Sequence, residues 1–422
     1  MDLSFAVVGA ALSLIVARWA AEYWLARLNQ RNVEANATAI PEAFKGVIDD
    51  ATYGKSVQYT LARSRFGQLE SIFDAVLLAV VIASGVLPWA YGWFAGRLGQ
   101  GAWATAVFLF TIFFVLALPG LPLAWHEQFR LEERFGFNTS TPRLWWMDRV
   151  KGLLLATGLG MPLLVLVLKL VEWTGRWWWL WAWAALMLFQ LVMLVLAPII
   201  ILPLFNKFTP LAEGSLRERL LALGQRTGFT ARTIQVMDGS KRSRHSNAFF
   251  TGFGRFRKIV LFDTLIQQLS EPELEAVLAH EIGHYKKRHI PKMLAWSAFT
   301  TLAGFFVLSW FAKQEWFYRG FGFPYEPGRI APALLLFALL AGTVTFWLSP
   351  LAHWWSRKYE YQADAYAART MNETQSLVGA LRKLNEKNLS NLTPHPLYSG
   401  FYYSHPTLLE RERALESSVA IS

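Results

Sequence analysis

The chain contains no cysteine, and it carries little charge for its length: Asp, Glu, Lys and Arg make up 17% of 422 residues. Without thiols there are no disulfide staples and no thiolate metal sites, so any bound metal must be held by histidine and carboxylate. Acidic residues are the scarcer sign, 30 against 41 basic, which leaves a formal net charge of +11. Histidine is scarce as well, at eight. Apolar residues take the place of charge, with 54% hydrophobic positions and 20 tryptophans and a mean hydropathy of +0.27. That is more than a soluble domain normally carries and predicts an integral membrane protein.

Seven apolar stretches are long enough, or nearly so, to cross a bilayer. They run roughly from Leu3 to Trp24, Phe73 to Phe94, Trp103 to Trp125, Leu153 to Trp173, Trp177 to Phe205, Met293 to Phe311 and Ala331 to Ala352. The first lacks a basic leader and a small-residue cleavage site and reads as an uncleaved anchor. Pro119, Pro122, Pro162, Pro198 and Pro203 fall in or beside spans, which is tolerated where neighbours or a wet cavity satisfy the freed backbone groups. Basic residues alternate with the loops. Arg27, Arg31, Lys45, Lys55, Arg63 and Arg65 follow the first span, Arg97 alone follows the second, and Arg130, Arg134, Arg143, Arg149 and Lys151 follow the third. The alternation places the amino terminus outside and the segment after Phe205 in the cytoplasm. Three basic residues between Lys313 and Arg329 run against it. Anionic lipid beside the spans accounts for the positive charge, so no nucleic-acid partner is expected.

Chemistry concentrates in His280-Glu-Ile-Gly-His284, preceded by Glu271-Pro-Glu-Leu-Glu-Ala-Val-Leu-Ala. In a helix the two histidines lie one turn apart on one face and can grip one zinc ion, with Glu281 beside them as general base and acid. The alternative is a pair of surface histidines on an amphipathic helix. A catalytic zinc takes a third protein ligand and leaves one place open. The candidate is Glu360 in Ser356-Arg-Lys-Tyr-Glu-Tyr-Gln-Ala-Asp364, with Asp364 one turn on to fix the tautomer of a ligand imidazole. On its own this segment also reads as a solvated charged helix. The chemistry these residues predict is metal-assisted amide hydrolysis, in which Glu281 takes a proton from water and returns it to the leaving nitrogen.

Between the fifth and sixth spans the chain turns soluble in character. Ser215 to Thr227 has helical spacing, and Thr233-Ile-Gln-Val-Met-Asp238 and Lys258-Ile-Val-Leu-Phe-Asp263 read as short strands. A strand just ahead of the histidine helix can present an edge to an extended substrate, and it can equally be an ordinary hairpin. His289, five residues past His284, points off the metal face by helical geometry and reads as interfacial. His353 and Arg357 can line a chamber, touch substrate or mark the membrane edge. The run Lys241-Arg-Ser-Arg-His245 attracts a peptide carboxylate or lipid headgroups, lipid being the simpler reading.

The zinc motif, the Glu360 to Asp364 segment, Asn247-Ala-Phe-Phe-Thr-Gly-Phe253, and Pro396-Leu-Tyr-Ser399 through Ser404-His-Pro-Thr-Leu-Leu-Glu-Arg411 together resemble the type I CAAX prenyl endopeptidases, integral-membrane zinc metalloproteases related to the HtpX stress proteases. Glu132-Glu-Arg-Phe-Gly-Phe-Asn138 and Ser140-Thr-Pro-Arg143 extend the resemblance into the amino-terminal half, which HtpX-type proteins lack.

The resemblance implies a mainly α, polytopic membrane protein with seven transmembrane helices enclosing a water-filled chamber. It also implies a gluzincin-like zinc metalloprotease domain with a small β-sheet. The division expected is an amino-terminal membrane domain over 1–205 with five spans, and a protease domain over 206–422 with the last two. One Zn2+ per chain is implied, held by His280, His284 and Glu360. Asn247 and His405 would hold the scissile peptide and stabilise its oxyanion, and Arg411 would pair with a carboxylate such as Asp364. The substrate implied is a peptide or protein end, prenylated at a CAAX terminus or otherwise membrane-associated, and a monomer is expected. The chain itself carries no prenyl-binding signature. Zero cysteine and an Ile421-Ser422 end without a basic retrieval signal point to a bacterial inner membrane rather than the endoplasmic reticulum. Two other readings remain open at this stage: an HtpX-like quality-control protease, and a channel or scaffold whose zinc is structural.

Overall fold

The computed structural model describes residues 3–229, 233–246, 248–251 and 258–419. Helix dominates. In chain order the longer helices and the strands are α1 Leu3–Ala35, α2 Asp50–Ala83, α3 Val86–Leu98, α4 Ala102–Ala117, α5 Pro142–Leu155, α6 Met161–Thr174, α7 Trp178–Leu196, β1 Phe208–Pro210, α8 Ser215–Thr227, β2 Thr233–Met237, β3 Ala248–Thr251, β4 Lys258–Phe262, α9 Glu271–Lys286, α10 His289–Phe311, α11 Ala331–Thr345, α12 Ser349–Met371, α13 Gln375–Lys387, α14 Pro396–Tyr402 and α15 Leu408–Val419.

Six helical runs among the described residues are long and apolar enough to cross a bilayer: 4–35, 50–83, 102–135, 142–205, 289–311 and 331–371. The fourth has 64 residues, about three bilayer thicknesses of helix. It folds back at Gly175, whose φ of 53° ends α6, and α6 packs against α7. Two crossings come from that run, which with the other five makes seven among the described residues, so this is a multi-pass membrane protein. The apolar stretch from Phe73 to Phe94 is not one span. Gly85 takes a left-handed φ of 74° and separates α2, which begins far upstream at Asp50, from α3, at 13 residues too short to cross. The lower half of α2 is polar because residues such as Arg63, Ser64, Gln68 and Ser71 line the cavity beside α1.

Two large apolar cores result, with a smaller third around Tyr59, Leu131, Phe135, Phe137 and Leu389. One joins α1, α3, α4, α6 and α11 around Phe108, Leu109, Tyr318 and Leu335. The other gathers α8, β2, β4, α9 and α13 around Leu223, Leu261, Leu265 and Ile282. Outside the first, large side chains such as Trp89, Trp181, Leu188 and Phe299 lie exposed, as a lipid-facing surface requires.

The sheet has the order β1-β2-β4-β3. β2 and β4 are parallel, and β3 is antiparallel to β4. Both strand segments read from the sequence are present. However, β4, the strand just ahead of the histidine helix, is internal; the outer strands are β1 and β3.

Candidate active site

Helix α9 starts cleanly. The Glu273 carboxylate accepts from the Ser270 backbone N–H at 2.7 Å and its hydroxyl at 2.8 Å, and Lys383 donates to it at 2.7 Å. Ser270 and Glu273 form a capping box, with Pro272 in the first turn, where its missing N–H goes unnoticed. Burial raises the Glu273 carboxyl, but the bonds from Lys383 and Ser270 outweigh it and hold it below its ordinary value.

Helix α12 packs against α9. The crossing is tight at Gly283, where a Cβ would lie 2.9 Å from the Cα and 3.0 Å from the carbonyl oxygen of Ala363. Only glycine permits that approach. It brings Glu360 of α12 to the two histidines of α9. His280 Nε2 and His284 Nε2 are 3.2 Å apart, and the Glu360 carboxylate lies 3.5 Å from the first and 3.3 Å from the second. The donor atoms of His280, His284 and Glu360 all fall within 4.8 Å of one another.

The other nitrogen of each ring is occupied. His280 Nδ1 lies 2.8 Å from Asp364, one turn beyond Glu360, and Arg411 of α15 forks onto Asp364 at 2.8 and 2.6 Å. His284 Nδ1 lies 2.9 Å from His289 Nδ1. With both Nδ1 atoms committed to neighbours, the Nε2 atoms face each other and a carboxylate across a small gap. One of that carboxylate's oxygens, Oε2, is buried without a hydrogen-bond partner among the described residues. Two imidazole nitrogens and a carboxylate with an orphaned oxygen are a donor set for a divalent cation. Burial lowers the His280 imidazole, but hydrogen bonds to Asp364 and Glu360 override it and raise it to about 9, so a proton competes for the place of an ion.

Glu281 is half-buried, and burial raises its carboxyl above the ordinary range. Among the described residues it forms no hydrogen bond or ion pair, leaving both oxygens free to exchange protons. His405 is 63% exposed in its side chain, with Nε2 3.5 Å from Glu360. It borders a cavity of about 870 Å³ shared with Arg411 and with Glu22, Ser71, Asp74 and Tyr402. Glu22 accepts from Arg18 at 2.8 Å and from Ser71 at 2.7 Å. Ionisable groups inside spans are rare and face cavities of this kind. Asn247 lies outside the described residues.

Three placements differ from the sequence reading. His289 is not interfacial: it is 1% exposed and stands behind His284. The left-handed Arg288, φ 57°, breaks the helix and turns the next residue back toward α9. Pro291 signals this break, since proline is tolerated in the first turn of a new helix and not in the middle of an old one. His353 and Arg357 hold the segment bearing His405: His353 Nδ1 lies 2.6 Å from the Phe401 carbonyl, and Arg357 donates to the carbonyls of Tyr403 at 2.8 Å and Ser399 at 3.3 Å. Positions 353, 357, 360 and 364 form one stripe of α12. In the basic run, Arg242 binds Asp148 at 2.8 and 3.0 Å and the Phe205 carbonyl at 2.7 Å. His245 stacks on Phe137 and meets Asn388 at 3.1 Å. These two side chains tie the sheet region to the membrane helices.

The chain is similar to known proteins over most of its length. Residues 29–207 match the family profile described as CAAX prenyl protease N-terminal, five membrane helices, and residues 210–419 match peptidase family M48. The chain is 36% identical to CAAX prenyl protease 1 of Saccharomyces cerevisiae, over 90% of this chain and 89% of that one. It is 30% identical to the CAAX prenyl protease 1 homolog of Homo sapiens, over 96% and 95% respectively. The crystal structure of S. mikatae Ste24p superposes with a TM-score of 0.89 at 34% identity, covering 98% of this chain and 99% of that one.

Proposed function

Because the chain belongs to the CAAX prenyl protease 1 family of M48 metallopeptidases, we propose that it cleaves a peptide bond near the carboxyl terminus of prenylated CAAX-type or other membrane-associated peptides. The observation that carries this reading is the convergence of His280, His284 and Glu360 beside a polar cavity that reaches α1 and α2. The match of residues 29–207 to the membrane-helix profile favours this branch over the HtpX-like reading.

The metal is zinc, one per chain, held by His280, His284 and Glu360, a histidine and carboxylate set suited to it. When bound, it supplies Lewis acidity toward the scissile carbonyl and lowers the pKa of water there. The residues do the rest. Glu281 accepts a proton from the attacking water and delivers it to the leaving nitrogen. His405 donates to the developing oxyanion. The edge of β3 pairs with the extended substrate through backbone hydrogen bonds, which demand little of its side chains. Asn247, just ahead of β3, shares the substrate-holding role on the strength of the family resemblance. A structural metal in a channel has no use for a free Glu281 and prefers four protein ligands, so that reading falls away.

The amino terminus lies outside and the active site opens to the cytoplasm, as the alternation of basic loops supports. The exception between Lys313 and Arg329 is softened by ion pairs, Arg319 with Glu315 at 2.6 Å and Arg329 with Glu326 at 3.8 Å. The test is cleavage of a farnesylated CAAX peptide and its unprenylated twin by purified protein in lipid, with zinc content measured on the same sample. Zinc-dependent cleavage of the farnesylated peptide supports the reading. No cleavage of either peptide at full zinc occupancy overturns it, and equal cleavage of both removes prenyl recognition.

A further inference from the structure

We propose that His289 is a positioning residue for His284: it accepts the Nδ1 proton of that imidazole and thereby fixes its tautomer and ring plane, so that Nε2 presents a lone pair to the metal. The inference rests on the reading of His284 as a ligand.

The geometry leaves little freedom. His289 Nε2 faces Gln362 Oε1 at 3.0 Å, and a carbonyl oxygen only accepts, so this nitrogen carries the proton. In a neutral imidazole the other nitrogen is then an acceptor. That nitrogen, Nδ1, lies 2.9 Å from His284 Nδ1, so His284 donates from Nδ1 and keeps its lone pair on Nε2. Two consecutive hydrogen bonds thus pass the directionality of one amide oxygen to the metal-facing atom. The ring of His289 cannot swing away, because it stacks on Tyr359 with centroids 4.2 Å apart and planes 13° apart. Tyr359 and Gln362 both belong to α12, the helix that supplies Glu360. A displacement of His289 is therefore resisted by the same element that completes the donor set. Nothing in helical periodicity puts His289 there. The left-handed turn at Arg288 does.

The arrangement predicts which replacements function. Asparagine at 289 places its amide oxygen near the position of Nδ1 and preserves the acceptor; glutamine reaches instead toward the position of Nε2 and leaves His284 Nδ1 without one. Full-length His289→Ala, His289→Asn, His289→Gln and His284→Ala are purified in lipid, and zinc release into excess chelator and the visible spectrum of the cobalt-substituted protein are recorded. His289→Ala and His289→Gln are expected to weaken zinc binding by about ten- to a hundredfold and to change the cobalt spectrum, with His289→Asn close to wild type. Because Asn and Gln both fill the site with an amide, their difference reads the acceptor even if the alanine variant folds poorly. Wild-type zinc retention and spectrum in His289→Gln overturn the proposal, as does equal impairment of Asn and Gln. Zinc retained at full stoichiometry by His284→Ala overturns the ligand reading itself. Zinc lost there but kept in His289→Gln overturns this inference alone.

Discussion

The two histidines of the motif sit one turn apart on one helix, yet the fold backs them with opposite chemistry. Behind His280 stands a charged pair, Asp364 with Arg411 forked onto it at 2.8 and 2.6 Å. Behind His284 stands a neutral chain, His289 and then Gln362. The difference teaches how charge is rationed in a buried site. With a divalent ion bound, it and Arg411 would supply three positive charges against the three negative ones of Glu360, Asp364 and Glu281. A second carboxylate behind His284 would tip the balance negative and blunt the Lewis acidity of the metal. A neutral acceptor orients the ring without that effect.

The comparison can be broken or sharpened by mutation. The largest effect comes from a change that touches neither support: Glu281→Gln lowers kcat/KM by about a thousandfold while zinc content stays at wild type. Loss of zinc in that variant would show that the carboxylate also holds the metal. On the charged side, Asp364→Ala weakens zinc binding by about ten- to a hundredfold, measured by chelator competition. It also strands Arg411, so its melting temperature falls more than that of His289→Asn. Equal destabilisation by the two would erase the distinction between charged and neutral backing. Further from the metal, Arg357→Ala releases the backbone at Ser399 and Tyr403 and lowers kcat/KM by about tenfold with zinc affinity unchanged, because His405 loses its placement. The smallest effect is on pH stability. The depressed Glu273 carboxyl contributes stability that is fully present above its unfolded value and is lost as pH falls through the folded one. The melting temperature therefore declines in acid through that window, and Glu273→Gln flattens the decline by about the worth of one helix cap.

Much of this was legible in the chain because it follows short-range rules. The histidine helix announces itself through the run from Glu271 to Ala279 ahead of the motif, and α12 through its four-residue spacing of Glu360 and Asp364. The strands at 233 and 258 are bounded by Gly and charge. What escaped depends on contacts between distant elements or on a backbone reversal. Whether β4, which adjoins α9 in sequence, is an edge or an inner strand depends on the strand order, which places it between β2 and β3. His289 looked interfacial because five residues of unbroken helix would carry it off the metal face, and one left-handed residue cancels that rule. Arg242 reads from the sequence as a landing site for anions, but Asp148, far away in sequence, holds it.

Gly283 carries a lesson for anyone trying to harden this protein. A helix interior usually gains about 1 kcal/mol when alanine replaces glycine, so a stability screen would single out this position early. Here the added methyl would run into the Ala363 backbone and wedge the two helices apart like a shim in a vice. The carboxylate carried by the second helix would then close on empty space. The spacing of His280, His284 and Glu360 is set by an atom that the residue does not have.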